Sequence, residues 1–220
     1  MITDIRLAGQ QLAAPRFDTP KKLVSWMGAI QAQDYAMARW AVGIRLKSAT
    51  ARSVGEAFSR GEILRTHVMR PTWHLVAAED IRWMLKLSAR RIRSANESLA
   101  KGRQLELTEQ LHYRCDRLLE KMLEGNRNLT KQQIGEELNR QGIAADTPRL
   151  TRLLMRAETE AVVCSGPFSG GKQTYALLEE RVPPVPELHP DQSQSHEYHL
   201  CHKIHSRLHE PISVSATGDQ

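Results

Sequence analysis

The sequence predicts a mainly α-helical fold with small β-hairpins, and three observations carry that prediction. Apolar residues recur at helical spacing in a series of short stretches. Threonine or Thr-Pro start signals and glycine stops punctuate those stretches. Two runs rich in β-branched and apolar residues, 62–77 and 161–180, each follow a group of helical segments.

In chain order, DIRLAGQQLA is followed by Thr19-Pro20, which starts KKLVSWMGAI. YAMARWAVGIRL follows Asp34, a ready N-cap, and SVGEAFSR stops at Gly61. The hairpin EILRTHVMRPTWHLVA turns at Arg70-Pro71, and a long helix runs from about Glu79 to Leu99. TEQLHYRCDRLLEKMLEGN then places Leu111, Cys115, Leu118, Leu119 and Met122 on one face and stops at Gly125-Asn126. Thr130 and Gln133 form a capping box that opens KQQIGEELNRQ, and Gly142 closes it. Thr147-Pro148 supplies an N-cap and a first-turn proline for RLTRLLMRAETE, with Leu150, Leu153, Leu154 and Ala157 as its apolar stripe. Ser169-Gly170-Gly171 turns the second hairpin.

Three helices followed by a hairpin is the order of a winged helix, and the first half echoes the second. The expected architecture is therefore a tandem winged helix: a first unit at 1–78, a basic linking helix at 79–103, and a second unit at 104–186. A histidine-rich tail, 187–220, is expected to be disordered or aberrant. It holds six of the nine histidines (189, 196, 199, 202, 205, 209), but without zinc-site spacing, so no metal site is expected.

A chain of 220 residues is long enough for one large domain or two small ones. Three widely spaced cysteines, Cys115, Cys164 and Cys201, suggest reduced thiols. Neither a leader pattern nor an apolar run near the length of a membrane span is present, so a cytoplasmic, nucleoid-associated protein with no membrane partner is expected.

The charge of +6 points to a polyanion, and its location is more telling than its size. Nine Lys and Arg against three acids lie between Arg65 and Arg103, the equivalent of the whole net charge. Arg82, Lys86, Arg90 and Arg93 fall within about 80° of one another and make a stripe roughly 16 Å long. Arg149, Arg152 and Arg156 form a second stripe on the helix at the recognition position. The expected DNA contacts are these seven together with Arg65, Arg70 and His74 on the first hairpin and Lys172 on the second. The partner expected is double-stranded DNA, alkylated or crosslinked, bound by a monomer.

No P-loop, dinucleotide glycine pattern, nucleophile elbow or HExxH is present, and SGPFSGGK reads as a hairpin tip. The polar seam in AIQAQDYAM is the candidate site. Gln31 and Gln33 share a side if the chain is extended there, and lie about 160° apart if it is helical. The first geometry makes a paired amide clamp that holds a water molecule; the alternative role is that the glutamines bond the frayed end of the preceding helix. Trp73 is either core or a stacking wedge, and His67 and His74 either pack or touch the nucleic acid.

The motifs MGAIQAQDYAMARWAVGIRL, ILRTHVMRPTWHLV with AAEDIRWML after it, and GGKQTYALLEERVPP together resemble the AlkZ-like winged-helix DNA glycosylases over about residues 2 to 186. The resemblance implies a monofunctional glycosylase that hydrolyses the N-glycosidic bond of N7-alkylguanine or interstrand-crosslink lesions, without metal or organic cofactor. It assigns catalysis to Gln31 and Gln33, matching the family's Gln, apolar, Gln signature. It also implies a longer chain with a third winged helix and a β-rich domain, so a shortened, inactive relative is one expectation. The competing reading is a non-catalytic, transcription-regulator-like DNA-binding module.

Overall fold

The computed structural model describes residues 2–48, 50–182 and 184; the histidine-rich tail lies outside them. Nine helices and six strands are found among the described residues: α1 (Ile2–Gly9), α2 (Pro20–Met27), β1 (Ala29–Gln31), α3 (Tyr35–Gly43), α4 (Ala51–Ser59), β2 (Ile63–His67), β3 (Trp73–Ala77), α5 (Ile81–Gly102), α6 (Glu109–Leu123), β4 (Leu129–Thr130), α7 (Lys131–Arg140), α8 (Thr147–Thr159), β5 (Val163–Ser165), β6 (Thr174–Leu177) and α9 (Leu178–Arg181). The strands form two antiparallel sheets of three, in the orders β1-β3-β2 and β4-β6-β5. Each half of the chain thus repeats one winged-helix order of helix, strand, helix, helix, strand, strand.

Local signals set most boundaries. The Thr19 hydroxyl accepts the Lys22 N–H to start α2, and Gly28 ends it at φ 76°, a conformation that favours glycine. The capping box between Thr130 and Gln133 forms as expected. At α8 the cap sits one residue earlier than the sequence suggests: Asp146 Oδ1 accepts the Arg149 N–H at 3.0 Å. A carboxylate there also meets the positive end of the helix, an advantage Thr147 lacks.

Each unit has its own core. Leu23, Val24, Val42, Phe58, Ile63 and Leu75 fill the first, and Leu119, Leu123, Ile134, Leu138, Leu153 and Leu154 the second. A third cluster joins them. The other face of the first sheet, Leu64 and Val76, packs with Ile81, Met84 and Leu85 of α5, Cys164 of β5 and Leu178 of α9. The first sheet is therefore covered on both faces, and α5 packs along the joint instead of crossing solvent. Burial in this cluster pushes the Cys164 thiol up to about 12, which keeps it protonated.

Polar contacts register the joint. The Glu158 side chain, 1 % exposed, lies 2.7 Å from His67 Nδ1 and accepts from the His67 N–H at 3.3 Å and the Thr66 hydroxyl at 3.4 Å. The Arg65 N–H donates to Ser165 Oγ at 2.8 Å, and Asn96 Nδ2 donates to the Arg152 carbonyl at 2.9 Å. Removing Glu158 leaves three buried donors without a partner, so Glu158→Ala should cost about 3 kcal/mol, and Glu158→Gln clearly less. Urea denaturation of the two variants checks this, and because the units share a core the parent should melt in one transition.

Candidate active site

Pairing with β3 fixes the chain at the polar seam in extended form, with Gln31 opposite His74. The Ala32 N–H continues the ladder by donating to the Trp73 carbonyl at 2.7 Å. Alternation then buries Ala32 completely and leaves Gln31 and Gln33 exposed. Of the two geometries open to the sequence, the extended one is realised. Gln33 Oε1 accepts the Trp73 N–H at 3.4 Å, which orients its amide. Asp34 caps α3 through the Met37 N–H at 3.0 Å, so its carboxylate is engaged structurally.

The surrounding side chains come from both units. Arg65 donates from Nε to the Ala32 carbonyl at 2.9 Å, from Nη2 to the Gln33 carbonyl at 3.0 Å, and from Nη1 to Gln173 Oε1. Its guanidinium also lies 4.6 Å from the centroid of the Trp73 ring. Trp73 is half-buried between Arg65 and the His67 ring, whose centroid is 4.0 Å away, so it is held rather than free to swing. His74 is buried. Its Nδ1 lies 2.8 Å from the Thr72 carbonyl, which can only accept, so Nδ1 carries the proton and Nε2 is the acceptor of the neutral ring. Burial holds its pKa below the ordinary histidine value, with Arg70 pressing the same way. Gln173 and Glu158 had no sequence signal, because each acts across about a hundred positions of chain or more.

The basic residues divide into two groups. Lys86 and Arg90 on α5, Arg70 near the first hairpin tip and Lys172 at the second are exposed and form no ion pair among the described residues. The others are engaged with protein. Arg82 pairs with Glu179 at 2.9 Å and Arg93 with Glu160 at 2.8 Å. The row expected to stand open on α8 instead lies against α5 and α6. The Arg156 side chain, 10 % exposed, meets Glu160 at 2.8 Å, Glu109 at 3.0 Å and Glu97 at 3.8 Å. Arg149 Nη1 donates to the Glu106 carbonyl at 3.0 Å, and Arg152 is partly buried. The reason is packing: α8 buries one side in the second core and the next against α5, leaving its arginines little open face. No helix among the described residues is long and apolar enough to cross a membrane.

The duplicated frame carries two exposed amides at an extended seam, and comparison with known proteins identifies its family. The family model described as "DNA glycosylase AlkZ-like" matches residues 24–207, so the chain belongs to the AlkZ-like DNA glycosylase family. That match runs to residue 207, past the point where the sequence resemblance was traced. The solved structure of Streptomyces sahachiroi DNA glycosylase AlkZ superposes with a TM-score of 0.63 at 22 % identity, which speaks for a shared fold. The similarity covers 86 % of this chain and 52 % of that one, so the chain spans about half the length of that structure. No curated protein matches the chain.

Beside the Arg156 cluster, burial pushes the Asp116 carboxyl up to about 6; the Glu160 carboxylate adds to the rise and Arg156 opposes it. Folding therefore favours the protonated acid. That contribution is complete below the unfolded value of 3.8 and is lost as pH rises through about 6. Partial exposure screens it to on the order of 1 kcal/mol. Asp116→Asn should raise stability by about that amount at about pH 7.5 and change little at about pH 3.5, as urea unfolding at the two pH values will show.

Proposed function

We propose that this chain is a monofunctional DNA glycosylase that hydrolyses the N-glycosidic bond of N7-alkylguanine, including crosslinked forms, in duplex DNA. The observation that carries the reading is the extended Gln31-Ala32-Gln33 segment, with both amides exposed around a fully buried alanine. Each amide offers one acceptor oxygen and two N–H donors, and a water molecule between them can be aimed at the anomeric carbon. As the base leaves with the bonding electrons, its cationic ring becomes neutral, so the leaving group needs no acid. The water oxygen bonds to the sugar carbon and releases its proton to solvent. Amide oxygens turned toward the cationic sugar that develops would stabilise it, which is where electrostatic preorganisation acts.

The exposed cations fit a duplex approaching along α5 and the hairpin tips, with Lys86, Arg90, Arg70 and Lys172 meeting phosphate. A regulator that reads sequence through α8 is less well supported, because Arg149 and Arg156 are engaged with Glu106, Glu97, Glu109 and Glu160. No metal or cofactor enters the proposed steps.

Two measurements test the reading. Purified protein should release base from duplex containing N7-methylguanine, and Gln31→Ala with Gln33→Ala should slow single-turnover release by about 100-fold or more while leaving duplex affinity within about twofold. Unchanged release in the double variant removes the mechanism, and selective binding to an undamaged duplex with no release supports the regulator. For the DNA path, Lys86→Ala with Arg90→Ala should reduce the slope of log affinity against log salt by about 1.8. An unchanged slope moves the path elsewhere.

A further inference from the structure

We propose that Arg65 is the positioning residue of the Gln31–Gln33 segment, and that Gln173 of the second unit holds Arg65 in place, so that the amides act only while the two units are docked. The inference rests on the glycosylase reading of the seam and gives that site a dependence on unit docking. Its starting point is a gap in the ladder. The Ala32 N–H donates to Trp73, but beyond Ala32 the chain leaves the sheet and begins α3 at Tyr35. The carbonyls of Ala32 and Gln33 would have no strand partner there, and Arg65 supplies one by donating to both, at 2.9 and 3.0 Å. A planar guanidinium holds two successive carbonyls in one fixed fork, whereas an ammonium offers rotatable donors from a single point and fixes them less well.

The same residue closes a loop around Gln33. Its guanidinium lies against the Trp73 ring, and the Trp73 N–H donates to Gln33 Oε1. Backbone and side chain of Gln33 are thus held from one side by Arg65 and from the other by Trp73. Arg65 is in turn fixed from the second unit at two points. Its Nη1 donates to Gln173 Oε1, and its N–H donates to Ser165 Oγ at 2.8 Å. Three guanidinium donors already serve protein oxygens, which makes Arg65 a support of the seam and not a phosphate ligand.

Single-turnover base release from N7-methylguanine duplex, duplex affinity across a salt series, and amide exchange over residues 32–37 decide the matter in the full-length chain. Arg65→Ala should slow release from the bound complex by about 100-fold, and Arg65→Lys by about tenfold, with affinity and salt slope within error of the parent. Gln173→Ala should slow release severalfold, and Gln173→Glu, which keeps the acceptor oxygen, should restore it. Exchange at residues 32–37 should quicken in Arg65→Ala while the rest of the chain keeps its protection. Should Arg65→Ala unfold the chain, Arg65→Lys and the Gln173 pair carry the same comparison. A salt slope reduced by about 0.9 with an unchanged rate in the bound complex makes Arg65 a phosphate contact and overturns the proposal. Unchanged exchange overturns it as well. A parent that releases no base defeats the glycosylase reading instead, and exchange in Arg65→Ala still decides whether Arg65 holds the segment.

Discussion

The arrangement depends on a buried carboxylate. Glu158, near the end of α8, reaches out of the second unit and accepts from the hydroxyl of Thr66 and the backbone of His67 on the first unit's β2. A carboxylate taken out of water is costly unless its oxygens find donors. The Oε2 of Glu158 finds all three on β2 while Oε1 is buried without a partner among the described residues, so the position of β2 is set through that one oxygen. Around it, Leu64, Val76, Cys164 and Leu178 close the shared core, and Asn96 ties α5 to α8. The two winged-helix units are thus joined along one strand.

That strand also carries the candidate site's support. Thr66 and His67 meet Glu158, the N–H of Arg65 meets Ser165, and the Arg65 side chain turns toward the seam that carries Gln31 and Gln33. A displacement of β2 would therefore be felt at the amides. The seam takes its geometry from pairing with β3, which forces alternation, and alternation puts Ala32 in and both glutamines out. The proposed hydrolysis at an already cationic base asks little of the side chains beyond holding a water still, so neutral amides on and just beyond a paired strand suit it. Arg156 holds α8 against α5 and α6 through Glu97 and Glu109, and Lys86, Arg90, Arg70 and Lys172 stay exposed with no ion pair among the described residues.

Helices α1 to α8 and both hairpins were legible because their signals are local, whereas α9 falls in a stretch that reads as part of the second β-rich run. Thr130 with Gln133, Thr19 with Pro20, and Gly61 and Gly142 act within a turn of where they stand, while Gly28, which reads in the sequence as lying inside a helix, ends α2. β1 and β4 were not, since three and two residues are too short for alternation to register. The position of Gln31 and Gln33 could be read, and the choice between extended and helical geometry could not, because it rests on β3, more than forty residues away. The arginine stripe on α8 reads as open in the sequence and is closed in the structure: Glu160 stands one turn from Arg156, but Glu97 and Glu109 are remote in sequence and only packing brings them to it. Gln173 gave no signal at all. The AlkZ-like resemblance singled out Gln31 and Gln33 as candidates, and the structure supplied the strand pairing that holds them.

The claim that matters most is that Gln31 and Gln33 hold one water between them. Single-turnover base release by Gln31→Ala, Gln33→Ala and the double variant, on one N7-alkylated duplex at one salt concentration, tests it most directly. Groups that act as a unit are strongly non-additive, so each single variant should lose nearly as much rate as the pair. Losses that multiply, each amide contributing its own factor, would contradict a shared water.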